Sequence, residues 1–266
     1  MKKLTVLCDN NTKIDHYVYA EPALSFLIET DEKKILFDFG YSDVYVKNAE
    51  ILGVDLDDVD ICVLSHGHND HTGGMVHWTK KVSLICHPDC LHETVYEGLQ
   101  IGCPLSESKI KEKFDLHLTK EPCWITENLC FLSEIPTLYD FEKRTVIGLK
   151  CCAGVWSDDL VMEDSALVLK TTEGLWILTG CSHAGICSIT QYAKEVIGID
   201  TIAGIIGGFH LLEKNEKLTK TIDVLKEMKV GRLIPMHCVN LVSKIEMAKS
   251  LEIEEAYSGM SIEFEN

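Results

Sequence analysis

The chain has 266 residues and a formal net charge of -17, from 42 acidic against 25 basic side chains. This charge argues against nucleic acid as a partner, because phosphate binding needs basic patches. Hydrophobic residues make up 46% of the chain, which suits a globular protein with a substantial core. We expect one large α/β domain over residues 1–266.

The sequence gives no sign of a membrane or a secretory route. No apolar segment reaches the ~20 residues that span a bilayer, and no apolar signal core follows the amino terminus. The twelve cysteines are unevenly spaced, unlike a small secreted disulfide framework. We expect a cytoplasmic protein with reduced thiols and a small-molecule substrate, binding neither membrane nor nucleic acid.

The first half of the chain alternates predicted strands and helices. Apolar periodicity predicts a strand at 3–8, a hairpin of 23–30 and 34–39, a helix at 43–53, a strand at 59–65, a short helix at 73–80 and a strand at 82–86. The periodicity fails from about 88 to 128, which predicts a cap insertion over the functional site. Candidate aromatic walls of that site are Trp124, Tyr139, Phe141 and Trp156.

The second half repeats the pattern of strands followed by helices. A hairpin of 166–170 and 175–179 turns at 172–174, and is followed by a helix at 186–197, a strand at 201–206, a helix at 217–229 and a strand at 232–236. Together the halves predict two β-rich layers with helices outside, an α/β fold.

A run of metal-binding side chains directly follows the predicted strand 59–65. Within residues 65–74 it carries His66, His68, Asp70 and His71. Residues two apart in extended backbone point the same way, so His66 and His68 can clamp one ion, and Asp70 and His71 can face a second ion. Imidazole and carboxylate are ligands for zinc, manganese and iron.

Three more histidines stand at predicted strand ends, in the same relation to their strands as the first cluster. They are His183, His210 and His237, and Cys181 precedes the first of them by two residues. We favour His183 to complete the first metal and His210 to complete the second. His237 is the alternative at the second metal, in which case His210 binds substrate.

These motifs resemble a known family. Residues 66–71 resemble the His-x-His-x-Asp-His signature of the metallo-β-lactamase superfamily, and Asp38-Phe39-Gly40 resembles its Asp-x-Gly turn. Residues 180–185 and 207–211 are similar to the branch labelled dihydropterin ribofuranosylaminobenzene phosphate synthase-like. The resemblance implies a four-layer αββα sandwich and metal ligands at His66, His68, Asp70 and His71. It also implies contact between Cys181 and a metal, since relatives carry a bridging Asp or a Cys ligand there.

One part of the family pattern is missing. Residues 131–165 contain no Pro-Gly-His motif and no histidine. Among the carboxylates of this stretch are Glu134, Asp158, Asp159, Glu163 and Asp164. Asp164, just before a predicted strand, is a candidate oxygen ligand.

The cysteines of the middle segment allow a second interpretation. They are Cys86, Cys90, Cys103, Cys123 and Cys130, followed by the pair Cys151-Cys152. Thiolates are the ligands of iron–sulfur clusters, but these spacings match no compact ferredoxin motif. Free thiols are the favoured interpretation, and a cluster is the alternative.

The leading functional hypothesis is a di-metal-dependent hydrolase or transferase of a small phosphorylated or acyl substrate. A metal-bridged hydroxide would attack, with Asp70 steadying it or taking its proton. Zinc is the favoured metal, with iron or manganese as alternatives. The alternative function is an iron-containing redox or electron-transfer protein, which would need a redox partner. Whether the chain forms a homodimer stays open.

Overall fold

The computed structural model of the protein describes residues 2–265. The strands are, in chain order, Lys2–Cys8 (β1), Ser25–Thr30 (β2), Lys33–Phe37 (β3), Ile61–Val63 (β4), Val82–Cys86 (β5), Glu93–Tyr96 (β6), Leu99–Gln100 (β7), Phe114–Leu118 (β8), Cys123–Trp124 (β9), Leu129–Leu132 (β10), Leu149–Cys152 (β11), Val155–Asp158 (β12), Ala166–Thr171 (β13), Gly174–Thr179 (β14), Ile202–Gly208 (β15), Arg232–Met236 (β16) and Ser261–Phe264 (β17). The α-helices are Val44–Ile51 (α1), Asn69–Thr72 (α2), Glu107–Lys113 (α3), Ile186–Ile197 (α4), Glu216–Glu227 (α5) and Leu241–Met247 (α6). Short 3-10 helices span Leu56–Asp58, Gly73–His77, Pro88–Leu91 and Asp140–Glu142.

The strands form three sheets. The first has seven strands in the order β17-β1-β2-β3-β4-β5-β8, and the second has six in the order β16-β15-β14-β13-β10-β9. A small sheet has the order β12-β11-β6-β7. In both large sheets antiparallel strands at one side continue into parallel strands at the other, as in the pairs β3-β4 and β14-β15.

The two large sheets pack face to face between helices. One apolar cluster lies between the sheets and joins Phe26 and Phe37 of the first to Trp176 and Leu178 of the second. A second cluster lies on the outer face of the second sheet, and a third on the outer face of the first. These layers confirm the four-layer αββα sandwich that the resemblance implies.

The hairpin of β13 and β14 illustrates why strands of the two large sheets have continuous apolar sequences. Successive side chains point to opposite faces. Val168 therefore joins the outer cluster, while Leu167 and Leu169 join the cluster between the sheets. Strands buried on both faces need apolar side chains at every position.

The two longest helices cover the second sheet. Helix α4 has the predicted bounds, 186–197, and ends where Gly198 adopts the left-handed φ of 76°. Helix α5 begins after Asn215, whose side chain accepts a hydrogen bond from the backbone N–H of Leu218. In the stretch 2–265, no helix is long and apolar enough to cross a membrane.

The segment 88–128, for which the sequence predicts no regular periodicity, contains four strands and a helix. Strands β6 and β7 belong to the small sheet, where β6 pairs with β11 more than fifty residues later. Strand β8 extends the first sheet beside β5, and β9 pairs with β10 in the second. The strands are short, and their partners are distant in sequence, so local patterning carries little signal for them.

Candidate metal centre

The loop that carries His66, His68, Asp70 and His71 follows β4 at the carboxyl end of the parallel strands. It turns through α2 and the 3-10 helix Gly73–His77 and packs against the turn after β3. A side chain on Gly74 would lie 2.0 Å from the carbonyl oxygen of Phe39, and one on Gly73 would lie 2.4 Å from that of Tyr41. Glycine is therefore required at both positions for the loop and the turn to meet.

Buried Asp38 organises the histidines of this loop. Its Oδ1 accepts from the backbone N–H of Ser65 at 2.7 Å, and its Oδ2 accepts from Ser65 Oγ at 2.6 Å and from His71 Nδ1 at 2.7 Å. Since the hydroxyl hydrogen goes to Asp38, Ser65 Oγ can accept from His66 Nδ1 at 2.9 Å. Both histidines then carry their hydrogen on Nδ1, which leaves Nε2 free to bind a metal.

The first donor group consists of His66, His68 and His183. Their ring centroids lie 4.7 to 5.1 Å apart. Each Nε2 atom is buried and has no hydrogen-bond partner. His66 has its ligand atom within 4.8 Å of those of His68 and Asp70, and also within 4.8 Å of those of Cys181 and His183. Buried polar atoms are nearly always partnered, so three unpartnered imidazole nitrogens on neighbouring rings have the chemistry of metal ligands.

The second donor group consists of Asp70, His71 and His237. His237 Nε2 lies 3.2 Å from both Asp70 Oδ2 and His71 Nε2. Cys181 Sγ lies 3.2 Å from His71 Nε2. The thiol also belongs to a group with His66 and His183 in which all ligand atoms lie within 4.8 Å of one another. Cys181 is thus positioned between the two groups.

His210 lies beside the first group rather than in the second. Its ring centroid is 4.4 Å from that of His183, and its backbone N–H donates to Cys238 Sγ at 3.3 Å. Cys181, His210 and Cys238 form a further set with ligand atoms within 4.8 Å of one another. The structure therefore brings His237, not the sequence-favoured His210, into the second group. Cys238 was not identified from the sequence, although it adjoins His237.

The backbone at the strand ends helps to aim these side chains. Asp38, Ser182, His210 and His237 all have positive φ, between 47° and 61°. Such conformations are strained for residues other than glycine and concentrate at functional sites. His237 is held there by its backbone N–H, which donates to Asp9, and by its Nδ1, which contacts Asn10 Oδ1 at 3.0 Å.

Burial and nearby charges shift the histidine pKa values of the two donor groups in opposite directions. Burial lowers the pKa of His66 and His183 well below the usual range and that of His68 to about 4. These imidazoles are uncharged at neutral pH and have a lone pair for a metal. At His71 burial is outweighed by Asp70 and Asp38, which raise its pKa to about 9. The second group therefore attracts positive charge.

The donors open into a cavity of about 510 Å³. Its walls include Tyr41, Tyr96, Ile147 and Leu212, and none of its described lining residues is a Lys or Arg. The aromatic residues proposed from the sequence do not line it. Trp124 and Trp156 are exposed elsewhere, and Tyr139 and Phe141 pack against the outer cluster of the second sheet.

The middle cysteines do not form a single group. Cys86, Cys90 and Cys103 pack in the outer cluster of the first sheet, whereas Cys123 lies between the sheets and Cys130 in the outer cluster of the second. Of the residues 2–265, those that form a donor group of three or more include none of these five. The iron–sulfur alternative therefore has no ligand set in this part of the chain.

An αββα sandwich with imidazole-rich donor groups at its strand ends defines the metal-dependent hydrolase fold of the β-lactamase type. The chain belongs to the metallo-β-lactamase superfamily. The family model for this superfamily matches residues 18–84. A solved structure of a metal-dependent hydrolase of the beta-lactamase superfamily has a TM-score of 0.89 to this chain, at 26% identity and with 100% of both chains covered.

Within the superfamily, two curated relatives come from the archaeon Methanocaldococcus jannaschii. The chain is 30% identical to its 7,8-dihydropterin-6-methyl-4-(beta-D-ribofuranosyl)-aminobenzene-5'-phosphate synthase, over 98% of this chain and 96% of the relative. It is 29% identical to an uncharacterized protein of the same organism, over 87% and 89%. The similarity thus covers nearly the whole chain, and it bears out the branch indicated by residues 180–185 and 207–211.

Proposed function

We propose that this protein is a cytoplasmic, di-metal-dependent hydrolase or transferase of a small phosphorylated or acyl substrate. The observation that carries the proposal is the pair of donor groups on either side of Cys181. Three buried nitrogens without partners in the first group, and a converging carboxylate and two imidazoles in the second, have the chemistry of two adjacent divalent sites.

His66, His68 and His183 would hold the first ion, and Asp70, His71 and His237 the second, with Cys181 available to both. Zinc suits this set of nitrogen, oxygen and sulfur donors, and iron and manganese are the alternatives. Bound ions would supply Lewis-acid polarisation of a substrate oxygen and would lower the pKa of a water molecule.

The residues of the chain would position and move the proton. The side chain of Asp70 is 30% exposed toward the cavity, and His71 and His237 hold its pKa below the usual range against the effect of burial. A carboxylate that stays ionised in this position can orient a nucleophilic water or accept its proton. His210, at the cavity wall beside His183, is available to contact the substrate.

The cavity walls support a substrate of limited charge. Because the described lining has no basic side chain, a phosphoryl group would depend on the metals for charge neutralisation. The aromatic and aliphatic walls fit an apolar or ring-bearing part. The 30% identical relative is named a synthase of a dihydropterin-bearing ribofuranosyl-aminobenzene 5'-phosphate, which supports transfer as well as hydrolysis.

The test is hydrolysis of generic phosphodiester and thioester substrates by the purified protein, with and without a chelator. We expect turnover that stops with chelator and is lost in His68→Ala. His117→Ala, which changes an exposed histidine on β8, is the matched control and should keep wild-type turnover. Turnover in His68→Ala equal to that of the control would contradict the di-metal mechanism.

A further inference from the structure

Two cysteines, Cys181 and Cys238, lie on either side of the end of one strand. Cys181 follows β14 and Cys238 follows β16, and β15 runs between these two strands and ends at Gly208. Both sulfur atoms belong to the set with His210 in which all ligand atoms lie within 4.8 Å of one another. Cys238 Sγ also donates to the carbonyl oxygen of Cys181 at 3.5 Å. Two thiols from separate strands are therefore neighbours.

Gly208 allows the thiols to meet across the middle strand. A Cβ atom at this position would lie 2.5 Å from Cys238 Sγ and 3.2 Å from the Cα atom of Cys181. Any other residue would therefore occupy the space beside the two cysteines. The backbone N–H of Gly208 donates to the carbonyl oxygen of Gly180 at 2.9 Å, and that of His210 donates to Cys238 Sγ at 3.3 Å. These bonds hold the strand ends and the sulfur in place.

Both thiols line the cavity of about 510 Å³. Cys181 is only 4% exposed, whereas Cys238 is half-buried. Within residues 2–265, the other ten cysteines lie outside the wall of this cavity. A small oxidant that enters the cavity therefore reaches Cys238 first and finds Cys181 beside it.

We propose that Cys181 and Cys238 form a reversible disulfide when hydrogen peroxide enters the cavity. The peroxide transfers one oxygen to Cys238 Sγ, which becomes a sulfenic acid, and one water is released. Cys181 Sγ then attacks the oxidised sulfur, so that the S–S bond forms, the S–O bond breaks and a second water leaves. Together the two thiols lose two electrons and two hydrogens, and the peroxide is reduced to two waters.

The disulfide would take a sulfur donor away from the candidate metal centre. Cys181 lies between the two donor groups, and in the proposed function its thiol is available to both ions. The thiolate is the form of cysteine that binds a metal, and a sulfur in a disulfide cannot provide it. Oxidation would therefore weaken both groups, and a bound ion would protect Cys181 from oxidation. This coupling rests on the proposed function, whereas the disulfide itself does not.

The test treats the protein as purified with hydrogen peroxide, with and without a chelator, and then blocks the remaining thiols with iodoacetamide. Cys238→Ser is compared with Cys152→Ser, the matched control, because Cys152 is an exposed thiol on β11 outside the cavity. Tryptic peptides 171–194 and 233–244 carry Cys181 and Cys238, and fragment ions distinguish Cys181 from Cys187 in the first peptide. Mass spectrometry before and after reduction identifies the linked pair.

We expect the wild type and Cys152→Ser to give the linked peptides, with a mass lower by two hydrogens, and reduction to separate them. Cys238→Ser should lose the link to Cys181. In the wild type the link should form faster with the chelator than without it. Absence of the link in the wild type, or links from Cys181 to other cysteines instead, would overturn the inference. Equal rates with and without the chelator would leave the disulfide established and would contradict contact between Cys181 and the ions of the proposed function.

Discussion

The substitution Asp38→Asn tests how the fold prepares the histidines. Asp38 Oδ2 accepts from both Ser65 Oγ and His71 Nδ1. With Oδ1 still accepting from the backbone of Ser65, the new amide would present N–H groups to these two atoms. His71 would then have to accept at Nδ1 and carry its hydrogen on Nε2. Ser65 Oγ would likewise accept from the new amide and donate its hydrogen to His66 Nδ1, so His66 would also carry its hydrogen on Nε2.

The expected magnitude follows from these contacts. Replacing hydrogen-bond partners of a coordinating histidine typically weakens metal binding about 10–100-fold, which corresponds to about 1.4–2.8 kcal/mol. The loss of hydrogen bonds to a buried carboxylate also lowers the free energy of unfolding, by about 1.5–3 kcal/mol for each charged bond. Since Asp38 reaches one histidine of each group, both groups should bind more weakly.

Zn²⁺ affinity is measured by chelator competition on the folded variant, and unfolding by urea titration. The control is Asp60→Asn, because Asp60 also accepts a backbone hydrogen bond, from Lys34 at 2.9 Å, but lies far from the donors near the surface. Asp60→Asn should bind metal like the wild type. If Asp38→Asn did so too, the argument that Asp38 fixes the histidine tautomers would be wrong.

Three further predictions concern stability. Removal of metal by a chelator should lower the melting temperature, since an ion at 100 times its dissociation constant contributes about 2.7 kcal/mol, and an unchanged melting temperature would argue against bound metal. Leu178→Ala in the cluster between the sheets should lower the free energy of urea unfolding by about 2–5 kcal/mol and leave metal content unchanged, and a parallel loss of metal would show that the core and the site are coupled. Burial raises the pKa of Asp164 to about 7 from 3.8, so the wild type loses stability as pH rises from 4 to 7, by about 1.4 kcal/mol per pH unit from this group. The stability of metal-free Asp164→Asn relative to the wild type should therefore increase between pH 5 and pH 8, and a constant difference would contradict the shifted pKa.

Much of the candidate site could be predicted because its histidines directly follow strands. The apolar runs before His66, His183, His210 and His237 predict the strands, and parallel strands of one sheet bring their carboxyl ends to one edge. The sequence could not choose between His210 and His237, since β15 and β16 are adjacent and parallel. His237, unlike His210, is held in the second group by hydrogen bonds with Asp9 and Asn10, which lie more than two hundred residues away in sequence.

The rest of the site depends on long-range pairing. Two residues of the cavity wall, Tyr96 in β6 and Ile147 just before β11, belong to the small sheet or adjoin it. In that sheet β6 pairs with β11, which follows it by more than fifty residues in sequence. The middle cysteines are close in sequence, which left an iron–sulfur cluster open as the alternative to free thiols, but packing distributes them over three separate apolar clusters.

The most direct test of the central claim is the metal content of the protein purified without added metal, measured by elemental analysis and normalised per chain. Two adjacent donor groups predict about two divalent ions per wild-type chain, with zinc as the favoured metal. The variant His237→Ala keeps the first group intact and should hold about one ion per chain. A wild-type content of one ion or none, unchanged after incubation with Zn²⁺, Mn²⁺ or Fe²⁺, would contradict the account of two metal sites.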